Sequence, residues 1–238
     1  MDRHAVVAAS RADIIPFMNP APRIADLPTT IYLLPLAPWL LLPETVLPVA
    51  VTAAEGRAVI DAALAADGWV GVVQVRDGEA GKGGAPARRF YSVGCLARIH
   101  DESRGGDAHQ VRLEGVVRFR LRAELPAPGG LPRGEVEYGE FAGDLVLERE
   151  PEDLKLELFK DRILELGRKQ FGSAGALETM SPRQIILFMA QTAPLAPAEK
   201  QALLEAPDFR SLLDTLGQLL TLNYLTTTPD TTPPSRVN

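Results

Sequence analysis

The chain has 238 residues, 46% of them apolar, which is enough for a substantial core and too apolar for a chain disordered throughout. A net charge of -6 and a pI near 5.2 argue against a general binder of nucleic acid or anionic membrane, because such proteins need a basic field to recruit phosphate. The single cysteine, Cys95, cannot form an internal disulfide, so a reducing cytoplasm is the expected compartment.

Residues 1–28 mix alanine, proline and charge without periodicity and are read as a flexible extension, with Met18 a second candidate start of translation. Arg11, Asp13 and Pro16 interrupt any run of the signal-peptide kind. The most apolar segment, Leu33 to Val51, carries Pro35, Pro38, Pro43 and Pro48 plus Glu44, which a membrane-spanning helix would not tolerate. No membrane segment is expected.

Ile31 to Leu36 reads as a strand that ends in a proline-limited edge, and Thr45 to Val51 as a second strand. Between them Trp39, Leu40, Leu41 and Leu42 lie in a proline-bounded loop. They either plug one end of the fold and seal it against later helices, or form an exposed patch that takes extended hydrophobic segments of other proteins. These four are the candidate protein-binding residues. Thr52 and Glu55 have the spacing of a capping box, opening a helix that runs to Ala66 and stops at Gly68. Trp69 to Arg76 is a short β-branched run, followed by the polar, glycine-rich stretch Asp77 to Gly84.

From Arg89 to Arg122 the pattern is that of a β-hairpin. Tyr91, Val93, Cys95, Ala97 and Ile99 alternate with other residues, and after a turn at Asp101 to Asp107 the odd positions Val111, Leu113, Val117, Phe119 and Leu121 repeat the pattern. Period two predicts one buried face. Gly94 and Gly115 mark a bulge or a close backbone approach. Gly134 to Phe141 alternates again, with Val136 and Tyr138 on one face. The first part of the chain, residues 29–149, is therefore read as about six mostly antiparallel strands around one helix, closed or nearly closed into a barrel that removes its edges.

Composition shifts at Glu150-Pro151. Leu156, Phe159, Ile163 and Leu166 line one face of a first helix that ends before Gly172. Ser181-Pro182-Arg183-Gln184 opens a second, apolar all round from Ile185 to Met189 and so expected to be buried. Pro197 to Ala206 forms a third, and Asp208 caps a fourth. Residues 150–225 thus read as a small helical bundle, and residues 226–238, rich in threonine and proline, as a disordered tail. The fold class is α+β.

Candidate chemistry is sparse. Gly78 to Gly84 contains Gly81-Lys82 but lacks the spacing of a phosphate-binding loop. Ser173 sits among small residues with no histidine after His109 to act as its base. His100 and His109 flank the hairpin turn, where two glycines do not favour a fixed metal geometry. Glu135, Glu137 and Glu140 fall on or beside a polar strand face where carboxylates keep ordinary behaviour. Arg112, Arg118, Arg120 and Arg122 share the even positions of the hairpin, with Arg98 opposite, and form the basic stripe of the chain. It is read either as an RNA-binding face or, preferably, as neutralised by the acidic strand that follows. No cofactor or metal site is read from the sequence.

The ordered set Leu34-Pro35-Leu36, Leu42-Pro43, Leu47-Pro48, Tyr91-x-Val93-Gly94-x-Leu96-Ala97-Arg98-Ile99, Leu113-Glu114-Gly115-Val116-Val117-Arg118-Phe119 and Leu195 to Glu205 resembles the substrate-binding amino-terminal domain of Lon proteases, including its stand-alone relatives. The resemblance covers residues 29 to 225. It implies a PUA-like β-barrel followed by helices, and a non-catalytic binding module for exposed hydrophobic or unfolded protein segments, with a role as an adaptor in protein quality control. Ser173 resembles the Lon nucleophile in its Ser-Ala-Gly setting, but Gly172 stands where the family has proline. The family's Phe-Glu-x-Arg-Tyr motif at the first helix is represented here by Ala54-Glu55-Gly56-Arg57-Ala58, which keeps the charges and loses both aromatics. The alternative function is a PUA-like RNA-binding domain using Arg112, Arg118 and Arg120.

Overall fold

The computed structural model describes residues 22–36, 38–76, 89–105, 108–126, 128–146, 160–161 and 178–227. Six strands form one sheet: β1 (Thr30–Pro35), β2 (Val46–Val51), β3 (Trp69–Val73), β4 (Val93–Gly105), β5 (Ala108–Leu125) and β6 (Arg133–Glu137). Helix α1 (Ala54–Ala66) lies between β2 and β3, and α2 (Pro182–Thr192), α3 (Pro197–Leu204) and α4 (Phe209–Thr227) follow the sheet. Pairing runs β2-β5-β4-β3-β1-β6, and β6 returns to β5. Five strands therefore close a barrel, and β2 is added to β5 outside the closure. All pairs are antiparallel except β1 with β3.

This places β1 in the interior of the sheet, between β3 and β6, rather than at the edge its proline suggested. Pro35 is the last residue of the strand, where a missing N–H costs the ladder least.

The long hairpin is present, but with a tighter turn than its polar sequence suggested. Strand β4 continues through Asp101 to Gly105, with a register shift between His100 and Ser103. A second shift sets Leu96 against Val117 but Ala97 against Gly115, so Val116 is an extra residue on β5. The bulge changes which way the odd residues of β5 face. Arg118 pairs with Cys95 and Leu113 with Ile99, and paired residues share a face, so Leu113 and Val117 point to opposite sides. Both are fully buried, because the sheet is covered on both sides. The single buried face expected from periodicity is thus two half-faces joined at a bulge.

Two glycines make this geometry possible. A Cβ on Gly94 would strike the Phe119 ring and come 2.7 Å from the Val72 carbonyl oxygen, so the barrel interior holds Phe119 only because that position is bare. At Gly115 a Cβ would run into the backbone carbonyl of Leu42. The segment joining β1 to β2 lies directly against the bulge there, with Glu44 N–H donating to Gly115 O and Gly115 N–H donating to Thr45 O, at 3.0 and 2.9 Å.

The capping box at Thr52 and Glu55 does not form. The N-cap is Ala53 and makes no side-chain cap, while Glu55 turns outward to fork Arg89 at 2.9 and 3.0 Å. Gly68 does end the helix, at φ 75°. In α2 the capping box of Ser181 with Gln184 is complete, and Asp208 accepts from Ser211 N–H at 2.7 Å to open α4. Helix α2 is not buried all round: Ile185, Ile186 and Leu187 are inside, whereas Phe188 remains 42% exposed. The first helix expected over residues 151–172 lies outside the described residues apart from Lys160 and Asp161, as do the glycine-rich stretch at 77–84, Ser173, nearly all of residues 1–28 and most of the tail. Among the described residues no helix is long and apolar enough to cross a membrane.

Candidate functional site

The loop carrying Trp39, Leu40, Leu41 and Leu42 sits at the seam between the barrel and the helices. Trp39 N–H donates to Leu36 O at 2.9 Å, and Thr45 Oγ1 donates to Leu42 O at 2.7 Å, folding the loop back on itself. Leu40, Leu41 and Leu42 are each 1% exposed. The three leucines are part of the core cluster, which fits the plug reading of this loop. Trp39 is half-buried, and its neighbour Pro38 is exposed.

Helices hold this loop from the other side. Lys200 on α3, itself buried, donates from Nζ to Pro38 O at 3.0 Å, and scarcity of water lowers its amine below the ordinary lysine range. Glu44 has φ 62°, a left-handed conformation unusual for a side chain larger than glycine. From it the carboxylate meets Arg183 of α2 at 2.6 to 3.1 Å, and Arg183 also lies over the Phe209 ring at 4.3 Å. The strain at Glu44 is thus tied to a contact between the two parts of the chain.

Among the described residues the seam between barrel and helices holds a crevice of about 30 Å³ bordered by Leu42, Asp144, Arg183 and Phe209, room for no more than a water molecule. Its wall is the Arg118–Asp144 pair. Arg118 is 6% exposed; its Nε and Nη2 donate to Asp144 at 2.9 and 2.7 Å, and Nη1 donates to the carbonyls of Leu204 and Ala206. Phe141 stacks beneath it at 4.6 Å. This guanidinium is committed to joining the barrel to the end of α3.

The other arginines of the stripe are also engaged. Arg120 forks Glu140 at 2.6 Å, which holds that carboxyl below its usual range, and Arg122 meets Glu137. Arg98 donates to Asp67 O at 2.7 Å and stacks on Trp69. Arg112 pairs in register with His100, whose side face is opposite that of Cys95 and hence of Arg118, so the bulge splits the stripe. The neutralisation expected from the sequence is seen for Arg120 and Arg122, and Arg112 and Arg118 lie on opposite faces of the sheet. His100 and His109 do not face each other: His100 bonds Glu114, and His109 lies 3.8 Å from Asp61. Among the described residues no three His, Cys, Asp or Glu side chains converge as a metal site. Cys95 is fully buried, and burial raises its thiol far above the range of a reactive thiolate.

A larger recess, about 210 Å³, lies where β5 turns into β6. Leu125, Leu131 and Pro132 supply its apolar wall, and Arg89, Glu124 and Arg133 its polar rim. Sequence pattern gave no hint of it, because its residues come from three separated stretches whose convergence depends on the barrel closing.

The family model described as the ATP-dependent protease La (LON) substrate-binding domain matches residues 30–221. Lon protease 2 of Syntrophobacter fumaroxidans is 28% identical over 190 residues, which is 79% of this chain and 24% of that protein, so the chain spans about a quarter of the length of this curated relative. The N-terminal domain of the Mycobacterium avium complex Lon protease has a similar fold, with a TM-score of 0.59 and 22% identity over 81% of this chain and 98% of that one. A Lon N-terminal domain protein from Xanthomonas campestris gives a TM-score of 0.53 and 23% identity over the same shares.

Proposed function

The chain belongs to the Lon substrate-binding domain family, and from that membership we propose that it is a non-catalytic module that binds exposed hydrophobic or unfolded segments of other proteins, serving as an adaptor in protein quality control. The observation that carries this reading is the extent of the family match, residues 30–221, which among the described residues takes in the barrel, α2, α3 and most of α4. Trp39 is the contact residue in this reading. Leu40, Leu41 and Leu42 act indirectly, by anchoring the loop that presents it at the seam. Phe188, exposed on α2, offers a further apolar contact.

The test is binding of reduced, carboxymethylated lactalbumin against the native protein, measured by titration calorimetry. Binding of the unfolded form alone, weakened about tenfold in Trp39→Ala, is the expected result for loss of an aromatic anchor. Failure of the unfolded form to bind a folded sample of this protein would remove the proposal.

A further inference from the structure

Arg133 is the first residue of β6 and pairs in register with Tyr32 of β1. Its guanidinium lies over the Tyr32 ring at 5.2 Å, and its Nε is wholly buried without a hydrogen-bond acceptor. Among the described residues it makes no ion pair, in contrast to its neighbours at the recess: Arg89 is forked by Glu55, and Glu124 accepts from Phe90 N–H at 3.3 Å. The Arg133 guanidinium thus stacks on a ring, lacks a carboxylate among the described residues and keeps one buried N–H without an acceptor. Beside it is the apolar wall of Leu125, Leu131 and Pro132.

We propose that this recess binds the C-terminal residue of a protein segment, with the free α-carboxylate on Arg133 and an apolar side chain against Leu125 and Leu131. This deepens the preceding proposal and rests on it, since it names the part of a client that is recognised. The size of the recess decides for a terminus. A cavity of about 210 Å³ takes roughly one residue, and the residue that brings an apolar side chain and a carboxylate together is one that ends a chain. A fork of two parallel N–H donors matches a carboxylate in a way that a lysine would not.

The experiment uses fluorescein-labelled peptides of one sequence in four forms: ending in leucine with a free carboxylate, ending in leucinamide, extended by two glycines, and amidated with an internal glutamate. Fluorescence polarisation is read with the wild type, Arg133→Met and Leu131→Trp, each first shown to melt like the wild type. The free acid binds wild type, and amidation, extension or Arg133→Met each weakens it about tenfold or more, as loss of a hydrogen-bonded charge does. Leu131→Trp, which fills the recess from its partly buried wall, weakens it independently of Arg133. Equal binding of acid and amide, or wild-type affinity in Arg133→Met, overturns the proposal, and equal binding of the internal glutamate peptide overturns the choice of a terminus. If carboxymethylated lactalbumin binds while the acid and amide peptides do not differ, this inference alone fails; if lactalbumin also fails to bind, the broader reading fails with it.

Discussion

Arg118 shows how a residue's role is decided by its surroundings. In the sequence it is one of four arginines at even positions; in the fold it is buried, with four of its five N–H donors taken by Asp144 and by the Leu204 and Ala206 carbonyls at the end of α3. Removing one partner leaves the other charge buried without compensation, so Asp144→Asn should cost about 3–5 kcal/mol, read from the urea midpoint. The double variant Arg118→Met with Asp144→Leu should recover most of that loss. Lys200 is a different case, since among the described residues its ammonium bonds the Pro38 carbonyl and no carboxylate. Its folded-state amine lies below the ordinary value of 10.5, so protonation is disfavoured in the fold relative to the unfolded chain. At neutral pH that penalty is complete, and it fades as pH rises through the lowered value toward 10.5. The wild type should therefore gain stability relative to Lys200→Met over that alkaline window, measured by denaturant unfolding at several pH values.

At the scale of elements, helix starts and strand alternation were readable where the interaction is local. Ser181 and Asp208 cap as their spacing predicts, and every apolar odd residue from Val111 to Leu121 is buried. What could not be read is where a local preference meets a distant competitor. Glu55 abandons its cap for Arg89, 34 residues away, and β1 is interior because β6, more than a hundred residues later, returns to it. The Trp39 to Leu42 loop was legible as apolar and bounded by prolines, but its two fates differ only in whether Gly115 leaves room for it. Gly115→Ala tests that directly. The new methyl group meets the Leu42 backbone, which cannot swing aside like a side chain, and overpacking of this kind costs about 1–3 kcal/mol, read as a lowered thermal midpoint with Trp39 fluorescence shifted to the red.

At the scale of the molecule, barrel and helices are fastened by Arg118 to Leu204 and Ala206, Arg183 to Glu44, Lys200 to Pro38, and Gln201 to the Val93 carbonyl. They should unfold as one unit. Trp69 lies in the barrel and Trp39 at its seam with the helices, whereas far-ultraviolet circular dichroism reports mainly on helix, so the two signals should change together in urea; separated midpoints would mean that the fastenings are weak. The closed barrel also orders events in time. Strands β4 and β5 are neighbours in the chain and meet early, whereas closure joins β1 to β6 and sets the Tyr138 hydroxyl on the Pro28 carbonyl across 110 residues. Loop-closure entropy opposes that last step until the hairpin is in place. Trimming Val117 to alanine should therefore slow folding, while trimming Val136 should chiefly hasten unfolding, in stopped-flow measurements. A chain released from the ribosome before β6 emerges has its hairpin but no barrel, with the Phe119 side of the sheet still open to water.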